Sequence, residues 1–138
     1  MNPSTPSKSR ETPDQRRAKA AFKAAPSDPK QADAFATVCK KTATRILTSG
    51  LLPALAFLAA HRDSGEEKQN GPVLDALAKY LRDCKMIPSG NGDIVQYFTT
   101  SEKATATQLR FAQTEALAFL DWLARFADAR KKTSDGRA

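Results

Sequence analysis

At 138 residues, 41% hydrophobic and 27% charged, the chain can form one soluble-type domain with a modest core plus tails. No apolar run approaches the roughly 20 residues a membrane span needs, and Met1–Ser7 lacks the apolar block of a secretory signal, so a cytoplasmic, membrane-free location is expected. The net charge of +7 is one-sided: residues 1–62 hold 11 Lys/Arg and 4 acids, 11 − 4 = +7, while residues 63–138 hold 11 of each. Such asymmetry predicts a polyanionic partner, most simply nucleic acid.

Residues 1–13 are rich in Ser, Thr, Pro and Lys and have nothing to bury, so they read as a disordered basic tail. A short helix follows over 14–25, with Pro13 at its start and Ala18, Ala21, Phe22 and Ala25 on its core face. The second helix, from about Lys30 to Ser49, repeats Phe35, Val38, Cys39, Thr42 and Ile46 at core-facing spacing, with Lys41, Arg45 and Thr48 opposite. Gly50 breaks the chain. A third helix from about Leu51 to Arg62 is apolar nearly all round, which implies a central position, and Pro53 falls in its first turn.

His61 to Gly71 reads as a polar loop. The helix after it starts at Pro72 and carries Leu74, Leu77, Ala78 and Leu81 on one side. Pro88–Asp93 is dense turn chemistry, and Ile94–Phe98 reads as a single helical turn. Thr99-Thr100-Ser101-Glu102 fits a capping box opening a last helix that runs to about Lys131. Its core stripe is Leu109, Ala112, Ala116, Phe119/Leu120, Leu123 and Phe126/Ala127, with Arg110, Thr114, Asp121, Arg125 and Asp128 on the polar face. Arg130, Lys131 and Lys132 suit the negative end of that helix's dipole. The expectation is an all-α bundle of about five helices: a tail over 1–13, one helical domain over 14–131, and a disordered C-terminus over 132–138.

Chemistry is sparse. No nucleophile–base set can be assembled, and the sole histidine, His61, reads as a surface residue. No phosphate-cradling glycine motif occurs, since Gly90-Asn91-Gly92 is only a turn. With one histidine and no CxxC, no metal site and no cofactor are expected, and Cys39 and Cys84 read as buried thiols rather than a bridge. An enzyme is not expected. For nucleic acid, two cationic clusters stand out: Arg16, Arg17, Lys19 and Lys23, then Lys40, Lys41 and Arg45. Arg110 and Arg125 are further contacts on the last helix. Tyr80, Tyr97 and Phe98 are the aromatics available to stack on bases, although each also fits core packing. The mode predicted is backbone contact without base readout.

Three segments occur in a telling order: Arg16-Arg17-Ala18-Lys19-Ala20-Ala21, then Thr48-Ser49-Gly50-Leu51-Leu52-Pro53-Ala54-Leu55-Ala56-Phe57-Leu58, and finally Thr114-Glu115-Ala116-Leu117 with Trp122-Leu123-Ala124-Arg125-Phe126-Ala127. Together they resemble the small α-helical subunit of the Cmr complex, the type III-B CRISPR RNA-guided effector, over about residues 16–130. The resemblance implies a non-catalytic antiviral-defence protein. Its copies would stack along the backbone-forming subunits and help hold the guide–target RNA duplex through basic surfaces, leaving target cleavage to a neighbouring subunit. The implied partners are other CRISPR effector subunits, guide RNA, target RNA and further copies of the chain. A rival reading is a helical adaptor that binds only protein through the exposed part of Phe119, Trp122 and Phe126. A basic DNA-binding regulator ranks behind both, for want of a helix-turn-helix signature.

Overall fold

Side-chain caps decide where this chain turns helical. The computed structural model describes residues 11–64, 68–88 and 93–136, the last five by backbone alone. The first helix, α1 (Pro13–Ala24), opens on a reciprocal capping box: Thr12 Oγ1 accepts from the Gln15 N–H at 3.0 Å, and Gln15 Oε1 accepts from the Thr12 N–H at 2.9 Å. The second, α2 (Pro29–Ser49), is capped by Asp28, which accepts from the Gln31 N–H. Proline follows each cap, where a missing N–H costs nothing. Helices α3 (Leu51–Ala60), α4 (Asn70–Asp83), α5 (Ile94–Thr100) and α6 (Ala106–Gly136) complete an all-α fold of six helices among the described residues.

The start of α6 differs from expectation. Asp93 Oδ1 accepts from the N–H groups of Val95 and Gln96, which nucleates α5 and carries Thr99 into its last turn. The Thr99 hydroxyl therefore donates back to the Val95 carbonyl at 2.7 Å and caps nothing. Thr105 does the capping instead, its Oγ1 accepting from the Gln108 N–H. At its other end α6 stays helical to Gly136, past the expected end at Lys131 and into the stretch expected to be disordered. The expected tail lies outside the described residues up to position 10, and Thr12 already belongs to the α1 cap.

The spine of the fold is α6. Its stripe of Ala112, Ala116, Phe119, Leu120, Leu123 and Ala127 is buried, and it packs most extensively on α2 and next on α1. From α2 the facing residues are Phe35, Val38, Cys39, Thr42 and Ile46, all buried as their spacing predicts. The third helix supplies Leu51, Ala54, Leu55 and Leu58, and α4 supplies Val73, Leu74, Leu77, Tyr80 and Leu81. Of the aromatics considered for stacking, Tyr80 and Phe98 are core residues and Tyr97 is half-buried. Cys39 is buried, whereas Cys84, at the end of α4, is only half-buried; both are free. Phe22 does not join the core as expected. It is 58% exposed, because the small Ala21 and Ala25 let α1 settle closely and leave the larger ring on the flank.

The corner between α2 and α3 depends on Gly50, whose φ of +97° and ψ of 167° fall where only glycine is comfortable. Its N–H ends α2 on the Ile46 carbonyl. The next N–H, Leu51, donates across to Gln113 Oε1 of α6 at 3.0 Å, so α6 caps α3 in place of a local side chain. Gly50→Ala is expected to cost about 1–3 kcal/mol, read by chemical denaturation. The opposite sign is expected at Thr42, whose fully buried Oγ1 has no hydrogen-bond partner. Thr42→Val removes an unsatisfied hydroxyl without changing side-chain shape, and should stabilise by about 1 kcal/mol in the same measurement.

Candidate functional site

The nine cations expected to face a polyanion are divided among three helices, and the fold uses them differently. Arg17 is taken up inside the structure. Its guanidinium donates to Glu115 of α6 in a fork, Nη2 to Oε2 at 2.7 Å and Nε to Oε1 at 3.0 Å, and Nη1 reaches Asp14 at 3.1 Å. With its side chain 19% exposed, Arg17 ties α1 to α6 rather than presenting charge outward. Tyr80 of α4 completes the node by donating its hydroxyl to Glu115 Oε1 at 2.8 Å, while its ring stacks on Phe119 at 4.2 Å.

The node leaves its mark on each titratable member. Arg17 and then Tyr80, as hydrogen-bond donors, hold the Glu115 carboxyl below its ordinary range against the opposing effect of burial. Burial raises the Tyr80 phenol, and its hydrogen bonds to Cys84 and Glu115 push the same way. Tyr80 in turn raises the pKa of the Arg16 guanidinium beside it.

Arg16, Lys19 and Lys23 follow one another at i, i+3 and i+7 along α1, so they share a stripe. They rim a groove of about 370 Å³ between α1 and α4, with Lys79 on the far side. The rest of the lining is mainly apolar, with Ala20, Ala24, Ala76 and Phe119 joined by Tyr80, Cys84 and the acid Asp83. Lys19 also pairs with Glu11 at 2.9 Å. The cationic edge continues down α4, where Lys79, Arg82 and Lys85 line an adjoining hollow. These three were missed in the sequence because residues 63–138 net to zero. The i, i+3 spacing of Lys79 and Arg82, with Lys85 just past the end of α4, was the available signal.

The second cluster lies on α2. Arg45 sets its guanidinium 3.6 Å from the centre of the Phe57 ring of α3, a cation–π contact that fixes its direction. Lys41 is exposed beside it, and Lys40 pairs with Asp128 of α6 at 2.9 Å. Asp128, expected on the polar face, is thus on the α2-facing edge, where it also meets Lys131. From Lys40 to Ser49, α2 contains no acid. The hydroxyls of Thr44 and Thr48 along this stripe donate to the carbonyls of Lys40 and Thr44.

Arg110 and Arg125 lie on the outer face of α6. Arg110 reaches Thr107, while Arg125 pairs with Asp121 at 3.1 Å beside Trp122. Trp122 stacks on Phe126, which meets Phe22 of α1 edge-on at 5.5 Å. Arg130 crosses to α1, bonding the carbonyls of Phe22 and Ala25, so the helix C-terminus it serves is that of α1 and not its own. His61 rests its ring against Phe57 at 4.3 Å, and burial pushes the Cys39 thiol far up. Among the described residues no group of His, Cys, Asp or Glu is placed to hold a metal ion, and no helix is long and apolar enough to cross a membrane.

The helices that carry the node, the groove and the α2 stripe lie almost wholly within residues 13–130, which match the model of the CRISPR-associated protein family Cas_Cmr5. The chain belongs to that family. No curated protein matches it. Membership makes this Cas_Cmr5 protein a subunit of a type III-B CRISPR effector that associates with other effector subunits.

In this Cas_Cmr5 protein the Glu115 node is expected to govern acid stability. Its folded-state pKa is below the ordinary 4.5, so the unfolded chain takes up the proton first as pH falls. The stabilisation is therefore full above about pH 5 and is lost as pH drops through the folded-state value. Glu115→Ala should cost about 2–3 kcal/mol at neutral pH by stranding Arg17 and Tyr80. Glu115→Gln should flatten the fall in melting temperature between pH 5 and pH 3. A wild-type slope retained in the Gln variant would assign the acid sensitivity elsewhere.

Proposed function

We propose that this protein is a non-catalytic structural subunit that stacks along the type III-B effector and contacts the guide and target RNA backbone through basic surfaces, in antiviral defence. The observation that carries the RNA reading is the α2 stripe: Lys40, Lys41 and Arg45 in an acid-free run, with Arg45 held in place on Phe57. A surface of this kind attracts phosphates by charge. It has little with which to read bases, because the neighbouring threonine hydroxyls already donate to their own helix backbone. The non-catalytic reading is supported by the only histidine lying against Phe57 and by the buried, unreactive Cys39 thiol.

A protein-only adaptor remains the second reading, favoured by the Phe22, Trp122 and Phe126 rings, which meet at a surface where Phe22 stands exposed. Salt separates the two. The isolated protein should bind single-stranded RNA weakly and without sequence preference, with a log–log salt slope of about −2 if three phosphates are neutralised at roughly 0.7 each. The Lys41→Glu/Arg45→Glu variant should lose at least tenfold in affinity and roughly 1 unit of slope, with only a small drop in melting temperature. Affinity that stays flat across salt sinks the RNA reading, and unchanged RNA retention by a complex carrying the variant moves the contact away from α2.

A further inference from the structure

The groove between α1 and α4 differs in chemistry from the α2 stripe, and it calls for a different occupant. Its rim is cationic, with Arg16, Lys19 and Lys23 on one side and Lys79 on the other; Asp83, the acid in its lining, pairs with Lys79 at 3.3 Å, an exposed pair that leaves the rim a net excess of positive charge. The rest of its lining is largely apolar, and the Tyr80 hydroxyl within it already donates to Glu115. Tyr80 and Phe119 stack on each other at an interplanar angle of 3° and are both buried, so neither presents an open ring face. A nucleobase seated against the apolar lining would find no free ring face to stack on and, below the rim, few polar groups to replace its edge's hydrogen bonds to water. A large aliphatic or aromatic side chain needs no such partners, and the methyl groups of Ala20, Ala24 and Ala76 leave room for it.

A second copy of this chain does not supply the match. Its exposed large apolar residues among those described are Phe22, Leu47 and Phe111. Within four residues of these three the only acid is Glu115, which is locked to Arg17.

We propose that the α1–α4 groove docks an acidic segment of another effector subunit, seating one large apolar side chain between Ala20, Ala24 and Ala76 while flanking carboxylates meet Arg16, Lys19, Lys23 and Lys79. This rests on membership of the effector complex and not on the RNA contact assigned to α2, and the two fail separately.

The test places a photo-crosslinking amino acid at Ala24 of the full-length chain in a complex reconstituted from purified subunits and guide RNA. The expected product is a crosslink to another subunit, at a segment with Asp or Glu within four residues of a large apolar side chain. A crosslink to RNA, to a second copy, or to a neutral or basic segment overturns the proposal, as does the absence of any crosslink. In parallel, Ala76→Trp fills the groove. It should lower incorporation into the complex at least tenfold while the isolated chain keeps its RNA affinity and melting temperature; unchanged incorporation overturns the proposal. Should Ala76→Trp fail to fold, Lys19→Glu/Lys79→Glu reverses the rim instead and is read by the same measurements with the same two outcomes.

Discussion

One carboxylate holds three helices in place. Glu115 sits on the spine helix, accepts the forked guanidinium of Arg17 from α1, and accepts the hydroxyl of Tyr80 from α4. Without it, α1 would be held by alanines, a partly exposed aromatic pair and the Arg130 contacts at its C-terminus. Alanine burial supplies little apolar area per residue, so close packing there depends on directional contacts more than on the hydrophobic effect. The pair is worth most as a geometric constraint. A part-buried ion pair returns little net energy, but breaking it leaves a charge stranded.

That constraint also creates the two unlike surfaces. By fixing α1 against α4, the node sets the width of the groove and turns Arg16, Lys19 and Lys23 toward Lys79 across it. It also engages the Tyr80 hydroxyl, the polar end of a ring that lines the groove. On α2 the pairing is looser, since Lys40 meets Asp128 from an exposed position. Arg45 gains direction from Phe57, and the acid-free run keeps the local field positive. An apolar cleft with a charged rim suits a protein side chain, whereas an acid-free polar stripe suits a phosphate backbone. Both can operate at once on one small subunit.

Helix identity was legible because the cues are local. The period of Phe35, Val38, Cys39, Thr42 and Ile46 names the buried face of α2, and Gly50 marks its end through a backbone requirement that no other residue meets at low cost. What escaped was set by tertiary competition. Thr99 carries every local mark of a cap, but Asp93 six residues earlier starts a helix first and absorbs it. Phe22 has the period of a core residue, but close approach of α1 is governed by Ala21 and Ala25. Glu115 reads as an ordinary charge beside a core stripe, since its partners lie 98 and 35 residues away in the chain.

The same reasoning limits what net charge can say about a site. The first 62 residues carry the whole +7 excess, yet Arg17 in that stretch is locked to Glu115, while Lys40 and Lys19 share their charge with Asp128 and Glu11 from exposed positions. The neutral half meanwhile places Lys79 and Arg82 on α4 and Lys85 just past its end, next to the α1 stripe, with Asp83 pairing Lys79 among them. Charge that matters to a partner is what stays exposed once the fold has formed, and that exposure follows helix faces and not chain halves. Lys23 belongs to it, as do the exposed turns of α2. Arg17, at the centre of the strongest basic run in the sequence, belongs to the scaffold.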